Sequence, residues 1–249
     1  MASGDVINWL NSDDYYEPNA LLTIGQYFED DSIHVLAGKS KIWKNDSYFI
    51  SPGTDIYPTV EKTIGYARID QPETFFRKSV IDKIGFLNTN LHYVMDKEWW
   101  IRYLMQYGLK NVKKTDDVLV NFRIHESSKT NSQKVQFIQE TFDLYYTLAY
   151  MNNLEEASLM DKNFRVNYID GLSDIHQQHT STMQCALHYF LLLHFRTMYA
   201  QNNYQEAKKT GLLLNEKYLQ EADLHELYKL RKRIKYLPLF LKKLWNKNA

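Results

Sequence analysis

Gly4-Asp5-Val6-Ile7-Asn8-Trp9-Leu10-Asn11-Ser12-Asp13-Asp14 decides how the fold is read, because a short apolar strand here runs straight into two carboxylates. In open α/β sheets ligands bind just beyond strand ends. Paired aspartates at such a place offer hard oxygen donors, which suit Mg²⁺ or Mn²⁺ better than zinc. A plainer reading uses the same residues. Asp and Asn favour turns, and Tyr15-Tyr16-Glu17-Pro18-Asn19-Ala20-Leu21 suits an ordinary turn leading into a helix.

Four segments taken together resemble the family 2 glycosyltransferases, in the same order along the chain. They are Trp9-Leu10-Asn11-Ser12-Asp13-Asp14 with Pro18, Gln71-Pro72-Glu73-Thr74-Phe75-Phe76-Arg77-Lys78-Ser79, Leu91-His92-Tyr93-Val94-Met95-Asp96-Lys97-Glu98-Trp99-Trp100-Ile101-Arg102, and Phe122-Arg123-Ile124-His125-Glu126-Ser127-Ser128-Lys129-Thr130. The resemblance covers about residues 1 to 132. It implies an α/β fold of the GT-A type, a Rossmann-like mixed sheet with helices. It also implies an incomplete one: Met1-Ala2-Ser3-Gly4-Asp5 matches the interior of the family pattern, so roughly the first third, which holds the nucleotide base and ribose, is expected to be missing. A helical C-terminal region, residues 133 to 249, is expected to follow.

Length and charge set bounds. With 249 residues the chain has ample length to bury a core in one or two domains. The formal net charge is +0, yet from Lys229 to the end there are eight Lys or Arg and no acid. Residues 230–247 interleave basic and large apolar side chains, which suits peripheral contact with anionic lipid; a basic helix packed on the domain is the alternative. No nucleic-acid module accompanies the charge. Cys185 is the only cysteine, so no intrachain disulfide can form and a reducing cytoplasm is the simplest compartment. No stretch is apolar and long enough to span a membrane.

Along the chain, a short helix is expected at Asn19 to Phe28, then strands over 33–38 and 41–43 joined by a tight turn at Gly38-Lys39-Ser40. Ser51 to Pro58 reads best as a surface connection. Helices are expected from about Arg77 to Ile84, ended by Gly85, and from Asp96 to Gly108. Val112 to Ile124 holds two short strand-like runs. Three to five helices should occupy the rest, one of them around Asn203 to Leu214. His176, His179, His188 and His194 lack acidic or cysteine partners at a ligand spacing and are expected to be core or surface histidines.

The resemblance assigns roles residue by residue. Asp14 and Asp13 would bind a divalent cation, Mg or Mn, with His125 as third ligand; Arg123 and Lys129 would offset diphosphate charge. Asp96 falls at the family's general base, and is equally a standard helix N-cap. Glu98 would be an accessory acid, either ordering a neighbour or helping to bind the acceptor, or simply a solvated glutamate of the first helical turn. The expected reaction moves a sugar from a nucleotide-sugar donor to a hydroxyl of a surface or lipid-linked glycan, with inversion. Two alternatives stand beside it: a non-catalytic remnant whose helices serve interaction, and a metal-dependent hydrolase built on the same carboxylates.

Overall fold

The computed structural model describes residues 3–124 and 133–236. Six strands form one mixed sheet: β1 (Val6–Ile7), β2 (Tyr15–Tyr16), β3 (Val35–Lys44), β4 (Ser47–Ile50), β5 (Thr74–Arg77) and β6 (Val112–Ile124). Their order is β1-β5-β3-β6-β2, with β4 paired to the second half of β3. Only β3 and β6 run parallel.

Side-chain alternation gives β3 and β5 two buried faces. Leu36 and Phe75 pack with Leu119 and Val120 under α1 (Ala20–Phe28), through Ala20, Ile24 and Phe28. Their neighbours Val35 and Phe76 enter the larger core on the other side, with α2 (Val60–Tyr66), α3 (Lys78–Ile84) and α4 (Met95–Tyr107). The fold is therefore α/β, with a sheet covered on both faces.

Several expectations are met and two are overturned. Helix α3 ends at Gly85 and α4 at Gly108, both at positive φ, where glycine carries no Cβ penalty. There is no turn at Gly38. Strand β3 runs unbroken from Val35 to Lys44, with irregular register against β6 between Ala37 and Ser40. A Cβ on Gly38 would lie 2.5 Å from Leu119 Cδ1, so the glycine serves close strand packing. The chain instead reverses at Asn45, φ 55°, into β4. Likewise Val112–Ile124 is one long strand, since it pairs with β3 along most of its length.

Five helices follow: α5 (Lys134–Met151), α6 (Glu155–Asn163), α7 (Thr180–Ala200), α8 (Tyr204–Leu213) and α9 (Glu221–Tyr236). They do not close a core of their own, because Tyr145, Leu148, Phe190, Phe195 and Leu227 belong to the same buried cluster as Phe76 and Trp99. Among the described residues no helix is long and apolar enough to cross a membrane. The basic end is described only to Tyr236, and residues 237–247 of the expected lipid-facing stretch lie outside the described residues. Within the described part Arg231 is engaged internally, donating to Glu216, to Gly211 O and to Leu214 O.

The two halves meet most closely where α2 crosses α7. A Cβ on Gly65 would stand 2.4 Å from Ala186 O and 2.4 Å from Tyr189 Cβ, so backbone would have to move. Tyr145 Oη donates to Ile64 O at 2.5 Å across the same junction. Gly65→Ala is expected to destabilise the protein by about 2 kcal/mol through overpacking, despite alanine's better helix propensity. A urea titration monitored by circular dichroism would check this; an unchanged midpoint would refute the close-crossing account.

Candidate functional site

The site is assembled from the first strand outward. β1 pairs with β5, setting Val6 opposite Arg77 and Ile7 opposite Phe76. The Asn8 side-chain amide then donates to three carbonyls, Gln71 O and Pro72 O at 3.1 Å and Thr74 O at 2.8 Å. Its Oδ1 accepts the Tyr16 hydroxyl at 3.1 Å, and Gln71 Nε2 donates to Trp9 O at 2.5 Å. Beyond this tie the chain turns, and Asp14 comes to rest against the end of β6. Its Oδ1 accepts the Arg123 backbone N–H and its Oδ2 the Asn11 amide, each at 3.0 Å.

Asp14 is 7% exposed. Burial raises its carboxyl pKa, the two hydrogen bonds pull it back, and the neighbouring Asp13 charge raises it further. Asp13 is half-buried beside it. The Arg123 guanidinium lies over the Tyr15 ring, 5.1 Å from its centre. His125 and Lys129 lie outside the described residues. Among the described residues no group of three or more His, Cys, Asp or Glu is placed to hold a metal. Mg²⁺ and Mn²⁺ nevertheless need few protein ligands, since one or two carboxylates suffice when phosphates and waters complete the shell. A buried carboxylate with spare lone pairs and an adjacent second carboxylate fits that demand.

Asp96 is not the N-cap expected for α4. The helix begins at Met95 with Val94 at the cap, and Asp96 Oδ1 accepts the backbone N–H of Lys97 at 2.7 Å. The start of the helix is capped from elsewhere: Glu140 of α5 accepts the backbone N–H groups of His92, Tyr93 and Val94 at 2.9, 2.6 and 2.9 Å. That frees the half-buried Asp96 from capping. Burial raises its pKa, the Lys97 N–H and charge oppose the rise, and the nearby Asp70 charge adds to it. Burial also depresses the Lys97 ammonium.

Glu98 is neither solvated nor open to an acceptor. It is 1% exposed, with Oε2 2.8 Å from Arg102 Nη2 and Oε1 2.7 Å from His176 Nε2. Burial alone would raise its pKa, but His176 and Arg102 outweigh it and hold the carboxyl below the ordinary range. Its role is to tie α4 to the segment before α7. Trp100 is wholly buried, stacked on Tyr103 at 5.3 Å, and Trp99 meets Phe76 and Trp9 edge-on at 4.6 and 5.7 Å.

The segment from Ser51 is no loose surface connection, for Ser51 and Thr54 are 1% and 0% exposed. Ser51 Oγ donates to Glu73 Oε1 at 2.6 Å while accepting from the backbone of Ser40 and Gly53. Thr54 and Thr74 share a hydroxyl hydrogen bond at 2.8 Å, and Arg68 bridges Asp55 and Asp70. Glu73, which the sequence did not single out, is 1% exposed, and its Oε2 has no partner. Burial pushes its carboxyl up to about 7 and the Asp70 charge adds to the rise, against the pull of Ser51.

Of the four histidines expected in the core or on the surface, two are buried against acidic partners. His188 Nε2 lies 2.9 Å from Glu156 Oε1 and His176 Nε2 2.7 Å from Glu98 Oε1, each pair distant in sequence. His179 is exposed, ahead of α7. His194, half-buried against Phe142 and Phe164, has its pKa lowered to about 4 by desolvation.

No protein-family model matches the chain, and no curated protein matches it. Solved structures of S. aureus TarS do. TarS 1–349 in complex with UDP-GlcNAc matches with a TM-score of 0.49 and 17% identity, over 98% of this chain and 66% of that one. TarS 1–349 in complex with UDP gives 0.48 and 14%, over 100% and 68%. For S. aureus TarS the figures are 0.47 and 15%, with 98% of this chain spanning only 39% of that one.

Two variants test the electrostatics. Glu98→Ala leaves Arg102 and His176 buried without their shared carboxylate, and should cost about 3–5 kcal/mol in urea unfolding; a loss under about 1 kcal/mol would refute the buried tie. Glu73 keeps its proton in the folded state to about pH 7, whereas unfolded it ionises near 4.5. Folding therefore binds a proton, and wild-type stability falls as pH rises from 4.5 through 7. Glu73→Gln removes that slope, so the wild type should lose about 3 kcal/mol relative to the variant across this window. Parallel stability curves for the two proteins would show that Glu73 is not a buried neutral acid.

Proposed function

We propose that the chain transfers a sugar from a nucleotide-activated donor to a hydroxyl acceptor, with inversion at the anomeric carbon. The observation that carries this reading is convergence. Segments that resemble family 2 glycosyltransferases, far apart in sequence, meet around one buried carboxylate: Asn8 ties the first to the second, Asp14 binds Arg123 across 109 residues, and Trp9 packs on Trp99 of α4.

In this reading Asp14, with Asp13, holds Mg²⁺ or Mn²⁺, which when bound neutralises charge on the departing nucleoside diphosphate. His125 is its proposed third ligand, and Arg123 and Lys129 supply further positive charge to the diphosphate. Asp96 accepts the proton of the acceptor hydroxyl as that oxygen bonds to the anomeric carbon and the bond to the diphosphate oxygen breaks on the opposite face. A carboxylate made more basic by burial and by Asp70 is better matched to that task than a solvated one. Gln71 to Thr74 is tied to β1 by Asn8, and Asp70, just before it, adds its charge to both Glu73 and Asp96.

Asp96→Asn should lower transfer by about 10²–10⁴-fold while nucleotide-sugar binding persists. Asp14→Asn should abolish Mn²⁺-dependent binding of the donor. Both are read by release of nucleoside diphosphate and by calorimetry; full turnover in Asp96→Asn would remove the base assignment.

A further inference from the structure

One exposed sheet face beside Asp14 carries, next to Arg123, side chains that the transfer chemistry does not use. Pairing sets Trp43 opposite Tyr48 and beside Arg123, and Tyr15 opposite Asn121. Paired residues project to the same side of a sheet, so these side chains form one surface. Their contacts follow the pairing: Trp43 and Tyr48 rings lie 4.8 Å apart, Lys41 Nζ is 5.3 Å from the Tyr48 ring centre, and Arg123 covers Tyr15. Tyr48 is 50% and Tyr15 43% exposed.

These rings are held in place by polar bonds. The Trp43 indole N–H donates to Asn121 Oδ1 at 2.7 Å, and Asn121 is 3% exposed. The Asn121 amide donates to Glu17 Oε1 at 2.7 Å, where Lys41 also binds at 2.7 Å. A buried amide thus grips the indole by its polar edge. The fold fixes the ring's orientation and leaves the aromatic surface only half covered, which is a preorganised arrangement.

We propose that this face, Tyr15, Trp43, Tyr48 and Arg123 with a rim of Lys41 and Glu17, is a carbohydrate-binding platform for pyranose rings of a glycan. A pyranose has an apolar C–H face that stacks on aromatic rings and a belt of hydroxyls that needs both donors and acceptors at the rim. Lys41 and Arg123 donate, and Glu17 accepts. The match distinguishes a glycan from other partners: a lipid surface calls for apolar contact without acceptors, and a phosphate backbone calls for a row of unpaired cations, whereas among the described residues of this face Lys41 is neutralised by Glu17 and Arg123 alone is left, lying over the Tyr15 ring. Tyr15 directly follows Asp14, and the Arg123 backbone holds Asp14, so a chain of sugars on this face lies against the candidate transfer site. Naming the bound glycan the acceptor rests on the proposed transferase reading; the binding itself does not.

The test uses the whole chain and four probes, the hexasaccharides of β-linked N-acetylglucosamine, glucose, mannose and galactose, each at about 10 mM, the range expected for stacking without a deep pocket. The readout is the Trp43 indole N–H resonance, identified by its disappearance in Trp43→Phe. At least one probe should shift it saturably, with affinity about tenfold weaker in Tyr48→Ala and in Tyr15→Ala, both exposed positions whose loss spares the fold. No shift with any probe, or undiminished affinity in both variants, would overturn the platform. A parallel titration with Mn²⁺ and uridine or guanosine diphosphate reports the Asp14 site. Saccharide binding without nucleotide binding would keep the platform and sink the transferase reading; nucleotide binding alone would do the reverse.

Discussion

A carboxylate buried to 1% exposure has to be compensated or it will not stay charged, and Glu98 is compensated from two sides by Arg102 and His176. That requirement fixes the rotation of α4 about its axis. Successive helical residues are separated by about 100°, so Asp96, two positions earlier, projects about 200° away from Glu98. Turning Glu98 toward His176 thereby turns Asp96 toward the opposite side, where Asp70 is its charged neighbour. The buried pair thus sets the orientation of the candidate base without touching it.

A second constraint acts on four desolvated carboxylates. Asp14, Asp70, Glu73 and Asp96 all have raised pKa values, and in each the largest cause is burial. A fold pays for such desolvation only where the groups gain partners. Asp70 has Arg68, Asp14 has two hydrogen bonds, and Glu73 has Ser51 and a retained proton. Perturbed acids are a common mark of a functional site, although structural networks perturb acids as well, and the Asp70 charge acts on both Glu73 and Asp96. Glu73 anchors the segment from Ser51 to Thr54, while Asp14 and Asp96 keep lone pairs that nothing in the fold exhausts.

The parts legible in the sequence were those set by local chemistry. Gly85 and Gly108 end their helices at positive φ, the strand before Asp13 and Asp14 forms, and the bounds of α3 and α4 lie within a residue or two of those expected. What could not be read was set by contacts distant in the chain. Gly38 looks like a turn residue until Leu119 is brought against it. Glu98 looks like an exposed first-turn acid until His176, 78 residues later, reaches it. Strand β4 gave no sequence signal, because Tyr48, Phe49 and Ile50 lack alternating burial and remain 50%, 56% and 42% exposed. Trp43 offered a signal in hindsight, as an aromatic near the end of a strand followed by Asn-Asp, but Asn121 had to be placed beside it before its fixed orientation could be inferred.

The helices after residue 133 share in building the site. Three consecutive backbone N–H groups ahead of α4 would be orphaned at a helix start, and no residue of their own segment satisfies them; Glu140 does, from α5. Because a carboxylate there also complements the helix dipole, α5 holds α4 by its N-terminus, where Asp96 stands, and the segment before α7 holds it through Glu98. Gly65 lets α2 approach α7 closely enough to close the same core. A displacement of the C-terminal helices would therefore reach Asp96 through two polar ties before it disturbed the sheet. Asp14, fixed by β1, β5 and the end of β6, would be spared. The geometry thus gives the two aspartates separate supports: the sheet positions Asp14, and the helical region positions Asp96.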